Sequence, residues 1–181
     1  MEKKLSKRLW FNILLFNFMG GVAWNVENMY FNTFLNDCVY NDGILGASIT
    51  LTDAVNIMVT LSAITAVVTT FIMGTLSEKM KKRKMFISAG YIIWGVITAS
   101  FGFITKENVA GLLNLTDEAK ILGCTVWFII LMDIVMTFMG STSNDAAFQA
   151  WVTDVTVPRQ RPIVETVLSV VGTISSFAVT G

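Results

Sequence analysis

Histidine is absent from this 181-residue chain, proline and cysteine occur twice each, and charged residues make up only 14% of it. Each shortage excludes something. Without histidine the commonest metal ligand and general base is missing, and Cys38 and Cys124 form neither a zinc pattern nor a paired redox motif. They read as packing residues, although both fall near the expected outer ends of helices, where an oxidising exterior would permit a disulfide. No nucleophile, base and oxyanion arrangement can be named, so no enzyme is expected and no cofactor is implied. Thirteen basic and thirteen acidic residues cancel, which leaves no global field directed at nucleic acid. A soluble domain carries about 25% charge. The deficit here, with 54% hydrophobic residues and apolar runs of about 20 residues, places the chain among all-α integral membrane proteins, with the lipid bilayer as its first partner.

The few charges are placed informatively. Between Gly74 and Lys84 lie Lys79, Lys81, Lys82, Arg83 and Lys84, each of which would cost roughly 2.5 to 3.5 kcal/mol in hydrocarbon. The chain is therefore expected to turn there, in water. Lysine and arginine are retained on the cytoplasmic side, which orients the rest. Five membrane-crossing helices are expected at about 9–35, 54–76, 86–104, 122–150 and 163–181, in one transmembrane domain. Lys3, Lys4, Lys7, Arg8, the Gly74–Lys84 run, Arg159 and Arg161 then fall inside, and only Lys106 and Lys120 outside. The N-terminus is expected in the cytoplasm and the protein in the plasma membrane. The first segment imitates a signal peptide but is too long for one, and it lacks a clean cleavage site. Asp37, Asp42, Gly43 and Asp53 suit an exterior loop, as do residues 106–120. The fifth segment is still apolar at Gly181, so the chain is expected to be the N-terminal part of a longer protein, without its C-terminal half.

Polar residues inside these segments point to function. In the first, Asn17, Gly21, Asn25, Asn28 and Asn32 recur at helical spacing and form one stripe, expected to face other helices or a water-filled cavity. Trp24 and Glu27 flank it. Glu27 reads equally as a proton carrier, a ligand contact or a carboxylate near the outer surface. Asp133 lies about 11 residues into the fourth segment, roughly 16 Å along it and close to the midplane. An ionisable group at that depth marks by default a pathway, a relay or a partnered charge. Thr137, Gly140 and Asn144 follow it at helical spacing, and such a face suits a polyhydroxylated ligand as well as a plain interhelical network. Ser62, Thr65 and Thr69 share a face of the second segment, but hydroxyls there can bond their own backbone. At the cytoplasmic ends, Lys82 or Arg83 is expected to pair with Asp145 or Asp154, forming a gate weak enough to open.

Gly74-x-Leu76-Ser77-Glu78-Lys79-x-x-Lys82-Arg83-Lys84 resembles the cytoplasmic loop signature of the major facilitator superfamily, with Glu78 where aspartate is usual and Lys81 where the second glycine is usual. Met132-Asp133-Ile134 resembles the glycoside-pentoside-hexuronide cation symporters, the melibiose permease group, and Gly21-Val-Ala-Trp24 with Thr33-Phe-Leu35 is similar to the sucrose transporters. The resemblance implies the N-terminal half of a secondary transporter working by alternating access, with a sugar or similar small polar solute as substrate and a cation or proton as coupling ion. It places Asp133, Thr137, Asn25, Asn28 and Trp24 at the substrate, Glu27 and Asp133 in coupling, and Gly74, Glu78, Lys82, Arg83, Asp145 and Asp154 at a cytoplasmic gate. Helix 2 lacks the acidic pair of that group's sodium site, which favours protons through Glu27 or Asp133. The competing expectations are an exporter of amphipathic compounds in the same superfamily and a membrane scaffold with no substrate.

Overall fold

The computed structural model describes residues 5–40 and 49–181. Lys3, Lys4, Asp42, Gly43 and the side chain of Cys38 lie outside the described residues. The described chain is all-α, without a strand. Helix α1 spans Lys7–Leu35, α2 Leu51–Met80, α3 Arg83–Ser100, α4 Lys106–Leu113, α5 Glu118–Gly140, α6 Gln149–Val155 and α7 Arg161–Thr180. A π-helical stretch, Ser141–Phe148, joins α5 to α6 without a break, so Glu118–Val155 is one 38-residue helix. With α1, α2, α3 extended to Phe103, and α7, it makes five helices long and apolar enough to cross a membrane.

The helix starts follow from local chemistry. Ser6, Thr50, Thr105 and Asp117 each turn a side-chain oxygen onto a backbone N–H of the first turn, at 3.0 to 3.2 Å, satisfying donors that have no partner within the helix. Where the basic run was expected to form a loop, it is mostly helical. Gly74–Met80 completes α2, only Lys81 and Lys82 lie between the helices, and Arg83 already belongs to α3. Charge forbids these residues the hydrocarbon core, not the helix. At about 1.5 Å per residue the 30 residues of α2 exceed a core of about 30 Å, so its end can stand in water. Lys81 closes α2 in the left-handed conformation, with φ of 52°, its N–H bonded to the Glu78 carbonyl. The expected loop after α3 likewise contains α4, which ends on left-handed Asn114. Cys124 carries a free thiol.

The Glu118–Val155 helix is the axis of the molecule. Of its most apolar stretch 44% is buried, against 11 to 22% for the other four. Helices α2 and α3 pack along it, and α1 pairs with α7 while touching its middle. One apolar cluster gathers Phe31, Leu35, Met58, Trp94, Phe101, Leu122, Val126 and Ile130; the other gathers Ile13, Ile87, Phe148, Val152, Val164 and Leu168. Polar residues separate them along the axis. Small residues allow close crossings, as lipid-embedded helices require: a Cβ on Gly90 would lie 2.5 Å from that of Ser143, and Gly21 abuts Ser175. The outward faces carry exposed Val67 and Phe71 on α2, Ile92 and Val96 on α3, and Phe177 on α7, side chains suited to a hydrocarbon solvent.

Candidate functional site

A cavity of about 210 Å³ opens between α1, α2 and α5, lined by Trp24, Glu27, Asn28, Phe31 and Asn32, by Met58, Val59, Ser62, Ala63 and Ala66, and by Asp133 and Thr137. Two of the lining residues are carboxylates, contributed by different helices. Asp133 is 4% exposed and Glu27 7%. Each is held by one hydroxyl: Thr137 donates from Oγ1 to Glu27 Oε1 at 3.0 Å, and Ser62 donates to Asp133 Oδ2. Glu27 Oε2 is buried without a hydrogen-bond partner. An unpartnered buried carboxylate oxygen is costly, and a bound water, ion or ligand is one way to satisfy it.

Local geometry explains how these side chains meet. Asp133 and Thr137 are four apart on α5, one turn above each other, and the α5 backbone there is regular. Trp24, Glu27, Asn28 and Phe31 follow the same spacing on α1. Trp24 is set in place by Trp94, with ring centroids 5.2 Å apart, and both indoles rest on Gly140, where a Cβ would sit 3.0 Å from each ring. Ser62 completes the site from α2.

The asparagine stripe of α1 divides. Asn28 and Asn32 reach the cavity, whereas Asn17 donates to the Leu168 carbonyl at 2.9 Å and Asn25 accepts from Ser176 Oγ at 3.1 Å, both on α7. The sequence reading places Asn25 at the substrate; the structure places it in the α1–α7 seam. Asn144 also leaves the face it was expected to share with Asp133. The π-helical stretch adds a residue to each turn, so the spacing carries past residue 141 out of register. Asn144 instead accepts from the Tyr91 hydroxyl at 2.7 Å and donates to Asp145 at 2.8 Å.

Of the expected gate, the structure brings together one pair. Arg83 Nε lies 2.8 Å from Asp154 Oδ2, linking the start of α3 to the end of α6. Glu78, Lys81, Lys82, Arg83, Lys84, Trp151 and Asp154 surround a shallow surface hollow there. Asp145 is elsewhere: its carboxylate accepts from Asn144 at 2.8 Å inside the bundle, and among the described residues it forms no ion pair with Lys82 or Arg83. Nothing stands within 4 Å of where a Cβ of Gly74 would be.

Sequence reasoning missed Ser62 as a site residue. Its spacing with Thr65 and Thr69 was visible, but those two line a different groove with Val68 and Phe138, and only the packing of α2 on α5 singles out Ser62. Phe31 and Met58 were missed because nothing separates a cavity wall from core in an apolar pattern. Comparison with protein-family models, with curated proteins and with solved structures yields no match.

Proposed function

We propose that the chain is part of a secondary transporter that moves a small polar solute across the membrane by alternating access. The observation that carries this reading is the cavity itself: two buried carboxylates, contributed by different membrane-crossing helices and tied only to hydroxyls, facing an open space. Each carboxylate takes one hydroxyl from a neighbouring helix, but Glu27 Oε2 is left without a partner. Sites between discontinuous or facing helices near mid-membrane are where transporters hold their cargo. In this reading Asp133, Glu27, Trp24, Asn28, Thr137 and Ser62 contact the solute or its coupling ion, and the Arg83–Asp154 pair is a contact that breaks when the cytoplasmic side opens. The major facilitator reading receives support from Lys81, which occupies with left-handed backbone the position where the superfamily signature has glycine. In that architecture the five helices belong to an N-terminal half whose cavity faces a second half, the N-terminus lies in the cytoplasm and the membrane is the plasma membrane. The sugar is what the resemblance implies.

Water access is the test. Single cysteines at Asn28 and Ser62, in a background with Cys38 and Cys124 replaced by serine, are expected to react with a charged, membrane-impermeant thiol reagent. A cysteine at Val67, 72% exposed on the outward face, is expected to stay inert in the bilayer. Unreactive Asn28 and Ser62 positions would reject a solute pathway and leave a packed scaffold.

A further inference from the structure

The cavity is unbalanced in charge. Glu27 and Asp133 line it, no lysine or arginine does, and the chain holds no histidine. Among the described residues neither carboxylate takes part in an ion pair. The donors are largely committed: the hydroxyls of Ser62 and Thr137 point at the two carboxylates, and the Asn28 amide donates to the Trp24 carbonyl at 2.8 Å. What lacks a partner is, above all, the buried Glu27 Oε2, while the Asn32 amide and the second N–H of Asn28 keep some capacity to donate.

A neutral polyol presents donors and acceptors in equal measure and brings no charge. It would leave two buried carboxylates uncompensated, an expensive arrangement. A cation answers the charge deficit directly. The walls narrow the class further. Trp24, braced by Trp94, and Phe31, stacked on Phe101, contribute aromatic rings to the wall, groups whose quadrupole attracts an organic cation, and Met58 and Val59 add apolar surface. About 210 Å³ is the volume of several waters at ~30 Å³ each, far more than a bare monovalent metal ion fills.

We infer that the cavity takes a small organic cation, an alkylammonium group seated between Glu27 and Asp133 with its carbon substituents against Trp24 and Phe31. This names the substrate class of the site and rests on the transport reading only for the steps after binding. Ion-pairing to two carboxylates holds the charge, the aromatic pair selects a bulky, weakly hydrated ammonium over a strongly hydrated ion, and the absent basic residues leave anions nothing to bind.

The test is calorimetric titration of the full chain in lipid nanodiscs with three probes: choline, dimethylbutanol, in which carbon replaces the ammonium nitrogen, and methyl galactoside. Saturable binding of choline is expected, with dimethylbutanol at least tenfold weaker. Glu27→Gln, isosteric and still able to accept from Thr137, lowers choline affinity at least tenfold, whereas Glu107→Gln on the exposed face of α4 leaves it unchanged. Equal affinity for choline and its neutral isostere, binding of the galactoside alone, or no binding of choline overturns the assignment. Should Glu27→Gln fail to fold, judged by helicity and elution, the comparison of the two isosteres on the native chain decides alone. The two readings fail separately: choline binding with inert cysteines at Asn28 and Ser62 rejects transport and keeps the cation site, while reactive cysteines with galactoside binding alone do the reverse.

Discussion

Replacing Lys81 by glycine is expected to stabilise the protein, although lysine there belongs to a cluster of five cations. Lys81 ends α2 at φ 52°, a conformation in which Cβ crowds the following carbonyl and which costs a non-glycine residue roughly 1 to 2 kcal/mol. Glycine removes that cost but brings extra freedom to the unfolded chain, worth roughly 0.5 to 1 kcal/mol in the other direction. The side chain is exposed, so the backbone terms dominate and the net gain is about 0.5 to 1 kcal/mol. For a chain of this size that raises the melting temperature by about 1 to 4 °C. Circular dichroism of the purified chain in detergent, scanned at fixed heating rate, reads the shift. Lys81→Ala is the control, because it removes the same charge and length while keeping Cβ. It is expected to leave the melting temperature unchanged or lower it. If alanine stabilises as much as glycine, relief of repulsion among Lys79, Lys82, Arg83 and Lys84 is responsible, and the backbone argument is refuted. If glycine destabilises, α2 does not end as described.

Gly140→Ala drives a methyl group to 3.0 Å from Trp24 and Trp94; overpacking at a crossing held from both sides costs about 1 to 3 kcal/mol, seen as a lower melting temperature with altered tryptophan fluorescence. Glu27→Met is expected to stabilise the chain by about 1 kcal/mol while abolishing choline binding, because it removes a buried unpaired oxygen and Thr137 can return its hydroxyl to its own helix backbone; a loss of stability would mean that Glu27 is structural. The Arg83–Asp154 pair, with the Asp154 side chain 52% exposed, contributes no more than about 1 kcal/mol. A double-mutant cycle on Arg83→Gln and Asp154→Asn, repeated in high salt, is expected to give a coupling energy that shrinks as salt screens it.

How much of the site is legible in the sequence differs from residue to residue. Asp133 is readable because its cost in hydrocarbon does not depend on what surrounds it, and Thr137 comes with it by spacing. Glu27 stands out but stays ambiguous, since a carboxylate near a helix end is unremarkable until its depth of burial is known. Spacing alone does not reveal the neighbours of Asn25 and Asn144, for two distinct reasons. Helical spacing puts Asn25 and Asn28 on one stripe, but a stripe can touch two neighbours, and α7 takes one end of it while the cavity takes the other. Asn144 lies beyond a π-helical stretch, and no sequence signal announces the change of period that turns it toward Tyr91. Asp145 and Asp154 are nine residues apart in one helix and look interchangeable as partners of Arg83; only the 38-residue length of that helix separates them into an inner and an outer position.

Composition and periodicity by themselves determined that this is an all-α protein with five apolar helices and a charged turn between the second and third. Those features depend on transfer energies and local backbone chemistry, which act residue by residue. The tertiary structure decided which polar groups share a space. Ser62 meets Asp133 across α2 and α5, and Thr137 meets Glu27 across α5 and α1, contacts between residues 71 and 110 positions apart. Such pairs are set by how small residues let helices cross and by where a helix changes its pitch, and these couple distant parts of the chain in ways that no single stretch encodes.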